Sequence, residues 1–439
     1  MRYKILTAIL VVSLPLFLAA CTLKDIPVIG TFFGGNTVVA NLPVTLNVWG
    51  LWESPEVMDT LIQKYKTLHP DVTINYDNRS VVAPSLYKDT VKGRLSQAGV
   101  PDVVVVHNSW VSEIKDYLSP APASLITPEV YSQHFYPVSS QSAVIDGKIY
   151  AVPMYYDGLV LAYNKKHFEE INQTTPPTAW EEFRRLALDL TQTTKDGVFV
   201  RSGAAIGTAD NIDFFSDILG LMFAQAGIKV PDDLSSKAAQ DALAFYITFV
   251  KEDKIWDNSL PEASKAFAQG KVSMIFTTTW NLLDIIKANP SLDIGVAPVP
   301  QALPDTPISW GSFWMYAVPK NGQNTDAAWQ FINFLTQDEQ QLALFDQASK
   351  FRAYGAPYSS VVLAPQVASG PSAQFIKPVL DTAPFAVSGY FAGRSGNAFQ
   401  VDALKTAVNS VLLNSITPAQ ALNTLKATLQ RGNTPTPTQ

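Results

Sequence analysis

Residues 144–168 read VIDGKIYAVPMYYDGLVLAYNKKHF, and the turn and strand signals within them decide the fold of the chain. Asp146-Gly147 lies between two apolar segments and is typical of the two-residue turn of a β-hairpin. Pro153 ends the second segment, so the chain bends there or runs along the edge of a sheet. The apolar run 160–163 then predicts a strand that is covered on both faces.

Two tyrosines, a carboxylate and a glycine follow Pro153 almost directly, at Tyr155, Tyr156, Asp157 and Gly158. Aromatic rings beside a carboxylate at the entrance of a strand favour a ligand contact, and the glycine would allow a hinge. An ordinary turn that carries amphipathic tyrosines is the alternative that these residues leave open.

Several motifs resemble a known family by their order and spacing. The segments DGKIYAVP (146–153), YNK (163–165) and PPTAWEEF (176–183) are similar to the middle signature of the extracellular solute-binding proteins of family 1. These are the maltose-binding-protein-like receptors of sugar-type ABC importers. Two later segments, FAQGKVSM (267–274) and GVAPVP (295–300), resemble further elements of that family. No single motif is decisive, and the resemblance depends on all of them together.

The resemblance covers nearly all of residues 44–430 and implies an α/β fold of the two-lobed, class II periplasmic-binding-protein-like type. Each lobe would contain a mainly parallel sheet flanked by helices. Crossings near residues 156–158, 308–311 and 351–358 would join the lobes and act as hinges. The implied first lobe comprises residues 44–157 and 309–357, and the implied second lobe comprises residues 158–308 and 358–432.

The start of the folded region independently indicates an α/β protein. Alternating apolar residues at 44–49 predict a strand, and Ser54-Pro55 is a favourable helix start, with serine as N-cap and proline at the first helical position. A second strand is predicted at 72–76. Strand, helix and strand in this order are the opening of a parallel α/β sheet.

Composition excludes several other classes of protein. The chain has 439 residues, 47% of them hydrophobic and 16% charged, which is a globular composition long enough for two or three domains. A net charge of -6 gives no basic surface for nucleic acid. The sole cysteine, Cys21, allows no internal disulfide and no cysteine-based metal site, and the four scattered histidines form no compact ligand pair. No metal site is therefore expected, and the receptor family that the chain resembles implies no cofactor.

The first 20 residues indicate a targeting signal rather than a folded element. Arg2 and Lys4 precede the apolar run 5–20, which is short for a membrane-spanning helix. The run ends in Leu-Ala-Ala before Cys21, which resembles the bacterial lipobox. Residues 1–20 are therefore interpreted as a lipoprotein signal peptide, although an ordinary cleaved signal peptide and a retained anchor remain open.

A lipid on Cys21 would anchor the protein on the extracytoplasmic face of the cell membrane. Residues 21–43 would then comprise the lipidated cysteine and a tether, since they show no clear period of apolar residues. Residues 433–439, NTPTPTQ, are predicted to be a disordered tail.

Aromatic side chains recur beside polar ones near the ends of predicted strands. Ligands of open α/β sheets bind beyond the carboxyl ends of strands, which makes the loops 50–53 and 108–110 candidate contacts. Sugars present C–H faces that pack on aromatic rings, and hydroxyls that pair with polar side chains. The pairs are Trp52 with Glu53, Trp110 with Asn108, Tyr156 with Asp157, Trp280 with Asn281, and Tyr390 and Phe391 near Arg394.

The resemblance assigns roles to some of these positions. Asp157 matches the acidic residue at the first crossing, and Trp280 matches a tryptophan that stacks on sugar in that family. Glu53 and Asn108 match ligand-contacting loop positions of the first lobe. The predicted site residues are Trp280, Asp157, Tyr156, Glu53, Asn108, Trp110, Trp310, Trp314 and Arg394.

Three of these positions are less well defined by the resemblance. Trp310 and Trp314 replace a usually glycine-rich segment of the family, and their bulk could shorten the cleft. Arg394 lies where the similarity is weakest, so a surface arginine and a ligand contact are both open. Any of the tryptophans could instead belong to the core.

The resemblance implies a lipid-anchored, monomeric receptor that binds a mono- or oligosaccharide between its lobes and delivers it to an ABC importer permease, without enzymatic activity. A secreted glycoside hydrolase is the enzyme alternative, because a pair of catalytic carboxylates has no fixed spacing in sequence. A surface lipoprotein without a transport role is the third possibility. The chain contains no G-x-S-x-G elbow, P-loop or G-x-G-x-x-G motif.

Overall fold

The computed structural model describes residues 43–82, 84–367, 370, 372–393 and 398–432. The predicted signal peptide, Cys21, the tether up to residue 42, Arg394 and the C-terminal tail lie outside these residues. Within the described part of the chain, no helix combines the length and the apolar character that crossing a bilayer requires.

The strands are short and are distributed along the whole chain. Their bounds are β1 Val44–Gly50, β2 Val72–Asn78, β3 Val103–His107, β4 Leu118–Ser119, β5 Val144–Ile145, β6 Lys148–Ile149, β7 Val152–Pro153, β8 Val160–Asn164, β9 Gln192–Thr193, β10 Phe199–Ala204, β11 Val272–Thr277, β12 Ile294–Ala297, β13 Ser309–Trp310, β14 Trp314–Pro319 and β15 Ala386–Val387.

Helices follow most of the strands and cover the sheets. Their bounds are α1 Pro55–Leu68, α2 Pro84–Leu95, α3 Val111–Ile114, α4 Pro128–His134, α5 Pro137–Ala143, α6 Lys165–Glu170, α7 Trp180–Leu190, α8 Phe215–Gln225, α9 Lys237–Lys251, α10 Ala263–Ala268, α11 Thr279–Ala288, α12 Thr325–Leu335, α13 Asp338–Ala348, α14 Ala364–Val367, α15 Ala373–Thr382, α16 Ala398–Leu412 and α17 Pro418–Gly432.

The first lobe is built on a sheet of strand order β2-β1-β3-β14-β4, with β7 also paired to β14. β1 runs parallel to β2 and β3, as the strand–helix–strand pattern predicted. β14 is antiparallel to its neighbours β3, β4 and β7. The strand β3 is buried along its whole length, because helices cover both faces of the sheet there.

The second lobe is built on a sheet of strand order β12-β8-β11-β10-β9. Only β10 and β11 pair in parallel among its described strands. The α/β architecture is therefore as expected, but the second sheet is mixed rather than mainly parallel. β8 and β14 are the strands that enter a sheet directly from a lobe crossing. Each therefore starts on the cleft side of its sheet and is antiparallel to its neighbours.

The hairpin at Asp146-Gly147 has the geometry that the dipeptide predicted. β5 and β6 pair in antiparallel fashion across it. Both turn residues have positive φ, 52° for Asp146 and 71° for Gly147. Positive φ at both central positions defines the type I′ turn, which aspartate and glycine tolerate well.

Backbone hydrogen bonds join the crossings into one small layer between the lobes. The amide of Leu159 donates to the carbonyl of Trp310 at 2.9 Å, and the amide of Ser312 donates to the carbonyl of Asp157 at 3.0 Å. The amide of Tyr156 donates to the carbonyl of Pro357 at 3.0 Å. The segments expected to cross therefore lie side by side.

A fourth segment joins this layer. β15 pairs in parallel with β13, and the amide of Gly311 donates to the carbonyl of Val387 at 2.8 Å. Gly158 is required at the centre of the layer, because a Cβ added there would lie 2.4 Å from the carbonyl oxygen of Trp310.

Ser359, just beyond the predicted lobe boundary at residue 357, contacts residues of the predicted first lobe. The hydroxyl of Ser359 donates to the carbonyl of Pro153 at 3.2 Å, and its amide donates to the side chain of Gln341 at 3.0 Å. Both partners belong to the first lobe. The chain contacts the second sheet again where α15 packs against β12. The lobe boundaries stay predictions.

Candidate functional site

A cavity of about 300 Å³ lies between the lobes, against the crossing layer. Both lobes and the crossings contribute to its wall. The lining residues are Trp52, His107, Trp110, Tyr155, Asp157, Asp213, Phe214, Thr278, Trp280, Asn281, Asp284, Ser312, Trp314 and Gly393. We call this space the central cavity.

Aromatic rings from the first lobe form one side of the central cavity. Trp52 follows β1, Trp110 lies in a 3₁₀ turn after β3, and Trp314 opens β14. The ring centre of Trp314 is 5.6 Å from that of Trp52 and 5.2 Å from that of Trp110, with the latter pair edge to face. These tilted arrangements are the favourable ones for aromatic pairs, so the three rings support one another.

Trp280 brings a ring from the second lobe to the same cavity. Its ring centre is 6.4 Å from that of Trp52 and 5.4 Å from that of Tyr155. Trp280 lies in the first turn of α11, whose N-cap Thr278 accepts a hydrogen bond from the amide of Asn281 at 3.3 Å. The threonine cap therefore begins a helix directly before Trp280.

Asp157 holds the start of α11 in place. One carboxylate oxygen accepts hydrogen bonds from the amides of Gly158 at 2.8 Å and Thr279 at 3.1 Å. The other oxygen accepts from the amide of Trp280 at 3.1 Å. A carboxylate at a helix N-terminus satisfies free N–H groups and interacts favourably with the helix dipole. Asp157 thus lines the cavity but uses both oxygens to position Trp280.

The environment of Asp157 opposes its negative charge. The side chain is 2% exposed, and burial raises its pKa to about 6, from an ordinary 3.8. The three N–H donors act in the other direction, since they stabilise the ionised form, but burial outweighs them.

Glu53 does not line the central cavity. It is fully buried, and both of its oxygens accept hydrogen bonds from the guanidinium of Arg352, at 3.0 and 2.8 Å. The guanidinium carbon of Arg352 lies 4.2 Å from the centre of the Trp280 ring. The structure therefore places Glu53 behind the cavity wall, in an ion pair that the sequence analysis did not anticipate.

Asn108 lies beside a different space. Its amide oxygen accepts from the amide of Phe313 at 3.1 Å, and its amide nitrogen donates to the hydroxyls of Ser388 at 2.8 Å and Ser142 at 3.2 Å. It lines a second, polar cavity of about 540 Å³. The position predicted to contact ligand thus links the first lobe to the segment after β15.

Tyr156 and Trp310 belong to the core of the crossing layer. The ring of Tyr156 packs 4.9 Å from that of Tyr136. The indole N–H of Trp310 donates to Asp217 at 3.0 Å. Of the predicted site residues that the structure describes, it brings together Trp280, Asp157, Trp110 and Trp314, and it places Tyr156, Glu53, Asn108 and Trp310 outside the cavity wall.

Several residues that line the central cavity were not predicted from the sequence. Trp52 and Asn281 were noted only as neighbours of predicted residues. Asp213 and Phe214 precede α8, after the strand β10, which was not recognised because an arginine and a glycine interrupt its apolar pattern. Tyr155 was visible in the opening segment, since it directly precedes Tyr156.

The cavity wall combines apolar ring faces with polar side chains. The indole N–H groups of Trp52, Trp110 and Trp280 and the hydroxyl of Tyr155 are buried without a hydrogen-bond partner among the described residues. Burial lowers the pKa of His107 to about 3, which keeps this ring neutral. Across the part of the chain that is described, no group of histidine, cysteine, aspartate and glutamate side chains could hold a metal ion.

Comparisons with known proteins agree with this geometry. A sequence profile of the family described as bacterial extracellular solute-binding protein matches residues 60–374. The maltotriose-binding protein of Pyrococcus abyssi is 22% identical over 307 residues, which are 66% of this chain and 62% of that relative.

Solved structures share the fold. The GacH receptor of Streptomyces glaucescens, solved without ligand and with acarbose, has a TM-score of 0.67 at 23% identity and covers 89% of this chain and 98% of its own. A cyclo/maltodextrin-binding protein in complex with maltotetraose has a TM-score of 0.71 at 16% identity and covers 90% of this chain and 98% of its own. The two-lobed fold predicted from the sequence is confirmed by these likenesses.

The raised pKa of Asp157 predicts an unusual dependence of stability on pH. The native state holds this proton up to about pH 6 but the unfolded state loses it near 3.8, so the contribution to stability is present at low pH and lost as pH rises through 6. We expect the unfolding free energy of the native protein, minus that of Asp157→Asn, to fall by roughly 2.5 kcal/mol from pH 4 to pH 7.5.

Urea unfolding of both proteins in the same buffers measures this difference, and all other titrating groups cancel because the two proteins share them. A difference that stays constant with pH, or that grows with rising pH, would contradict the role of burial at Asp157.

Proposed function

Because the chain belongs to the bacterial extracellular solute-binding protein family, we propose that it is a receptor of an ABC importer that binds a carbohydrate between its lobes and delivers it to a membrane permease. The observation that supports this most is the central cavity, to which both lobes contribute aromatic rings. Closure of such a cleft around a solute is a common form of hinge motion.

The chemistry of the wall favours a carbohydrate. Aromatic rings pack on the C–H faces of sugar rings, and polar side chains such as Asp213, Asn281 and Asp284, which also line the cavity, suit sugar hydroxyls. The maltotriose-binding relative and the acarbose and maltotetraose complexes of similar structures support the same class of solute.

The size of the cavity favours a short solute. A volume of about 300 Å³ lies at the lower end of the range of ligand sites. Trp314 occupies part of the wall, where its bulk would limit the length of the solute. We therefore favour a mono- or disaccharide.

The crossing layer would supply the hinge. It consists of short strands joined by a few backbone hydrogen bonds, and the two sheets on either side of it are separate. A solute that contacts both walls would stabilise the closed arrangement, and the closed receptor would dock on the permease as a monomer. We expect binding without covalent chemistry.

A saccharide screen tests the proposal directly. A ligand that binds only the native state raises the melting temperature, so thermal-shift measurements across mono-, di- and trisaccharides should identify a class of stabilising sugars. Calorimetry would then give the affinity, and chromatography of the incubated sugar would show whether it is returned unchanged. Absence of binding by every saccharide contradicts the carbohydrate proposal, and turnover contradicts the receptor proposal.

Trp280 is the residue whose loss should affect binding most. Trp280→Ala removes a half-buried stacking surface, for which we expect a loss of about 1–3 kcal/mol of binding free energy. The affinity for the best sugar should fall on the order of 5- to 150-fold. The melting temperature of the free protein should change little, because the ring is partly exposed to the cavity.

Trp256→Phe is the matched control for this substitution. Trp256 is fully buried and lies outside the cavity wall, with its indole N–H bonded to Asn211 at 2.9 Å. This variant should melt at a lower temperature and keep its affinity for sugar. If Trp280→Ala behaved in the same way, Trp280 would be a core residue.

We further propose that the receptor is held at the extracytoplasmic face of the membrane by a lipid on Cys21. The LAAC sequence at 18–21 and the position of the sole cysteine support this. Cys21→Ser should abolish metabolic labelling with palmitate and release the protein from the membrane fraction, because no other thiol is present. Unchanged labelling of the variant would contradict the anchor.

A further inference from the structure

We propose that Arg352 is a positioning residue for solute binding: it holds the indole of Trp280 in its stacking orientation and connects that ring to the first lobe through Glu53. The inference rests on the proposed function, since it assumes that Trp280 stacks on the solute. Arg352 itself does not line the central cavity among the described residues, so it would act through Trp280.

The orientation of the Arg352 guanidinium is determined by three hydrogen bonds. Two go to the carboxylate oxygens of Glu53, and its Nε–H donates to the carbonyl of Tyr354 at 3.0 Å. Bidentate pairing of this kind fixes the plane of a guanidinium as well as its position. The side chain is 18% exposed, so water competes little for these donors.

Glu53 is itself immobilised by the first lobe. Its backbone carbonyl accepts hydrogen bonds from the hydroxyl of Tyr76 at 2.7 Å and from the side-chain amide of Asn78 at 3.1 Å. Both donors belong to β2, the strand beside β1. The backbone of the residue that orients Arg352 is therefore attached to the edge strand of the first sheet.

The fixed guanidinium covers one side of the Trp280 ring. Its central carbon lies 4.2 Å from the ring centre, within the range of a cation–π interaction, which is stronger where water is excluded. Next to it, the hydroxyl of Tyr354 donates to the carbonyl of Thr279 at 2.7 Å. Residues 352–354 thus hold both the ring of Trp280 and the backbone of the helical turn that carries it.

These contacts connect three separate parts of the molecule. Glu53 follows the first strand of the first lobe, Arg352 lies at the start of the third crossing, and Trp280 begins a helix of the second lobe. A displacement of the lobes would change the distance between Glu53 and Trp280, with Arg352 between them. The stacking orientation of Trp280 is therefore coupled to closure of the cleft.

The test must separate this role from a structural one. Replacing Arg352 alone would leave the buried carboxylate of Glu53 without a counter-charge, which destabilises proteins strongly. We therefore use the neutral pair Glu53→Gln with Arg352→Gln, introduced together. The pair is made in the native protein and in Trp280→Ala, and calorimetry gives the affinity of all four proteins for the best sugar of the saccharide screen.

We expect the neutral pair to weaken binding on the order of 5- to 30-fold when Trp280 is present, and less than about 2-fold when it is absent. An equal loss in both backgrounds, or no loss in either, overturns the inference. A purely structural role predicts such independence, because a loss of stability would not depend on the ring of Trp280.

A matched control is available in the second lobe. Arg184 pairs with Asp253 through two hydrogen bonds of 2.7 Å, away from the cavity wall. Arg184→Gln with Asp253→Asn should lower the melting temperature and leave the affinity for sugar unchanged. If sugar binds but the coupling to Trp280 is missing, only the positioning role fails; if no sugar binds, the proposed function fails as well.

Discussion

The carboxylate of Asp157, buried against the first turn of α11, is the interaction on which the site depends. It joins a crossing of the two lobes to the helix that carries Trp280. Burying this charge is unfavourable, as its raised pKa shows, and three N–H groups and the helix dipole offset part of the cost. In return, Asp157 fixes the position of the crossing segment relative to Trp280 in the cavity wall.

The other aromatic rings of the cavity wall form a continuous surface that begins at Trp280. The rings of Trp52 and Tyr155 pack near Trp280, and Trp314 continues the aromatic surface toward Trp110. Aromatic rings have few rotatable bonds, so a wall of this kind loses little conformational freedom when a solute binds. The wall also contains indole and tyrosine donors that are buried without a partner among the described residues.

The buried ion pair of Glu53 and Arg352 lies close to Asp157. A buried ion pair is weak support for stability, because desolvation offsets the attraction of its partners. The pair of Glu53 and Arg352 is better understood by what it orients, namely the guanidinium against the ring of Trp280. Asp217, whose pKa burial raises to about 6, similarly connects Trp310 to the amide of Gly393. Polar contacts at the crossings thus set positions in both lobes.

The sequence by itself determined the features that depend on short segments of the chain and on their order along it. The Asp146-Gly147 hairpin follows from the φ angles these residues tolerate, and the family follows from motifs whose spacing is preserved along the chain. Aromatic residues after the strands also predicted part of the cavity wall, since chain direction alone places strand ends at one edge of a sheet. These inferences need no knowledge of distant contacts.

Only the tertiary structure decided which of these side chains face the cavity. Glu53 and Arg352 are 299 positions apart, and no local pattern indicates that they pair. Asn108 and Trp310 have the right residue types, but hydrogen bonds to Ser388 and Asp217 hold them elsewhere. Periodicity reports which residues are buried, whereas the partner of a buried polar group is set by how the lobes pack together.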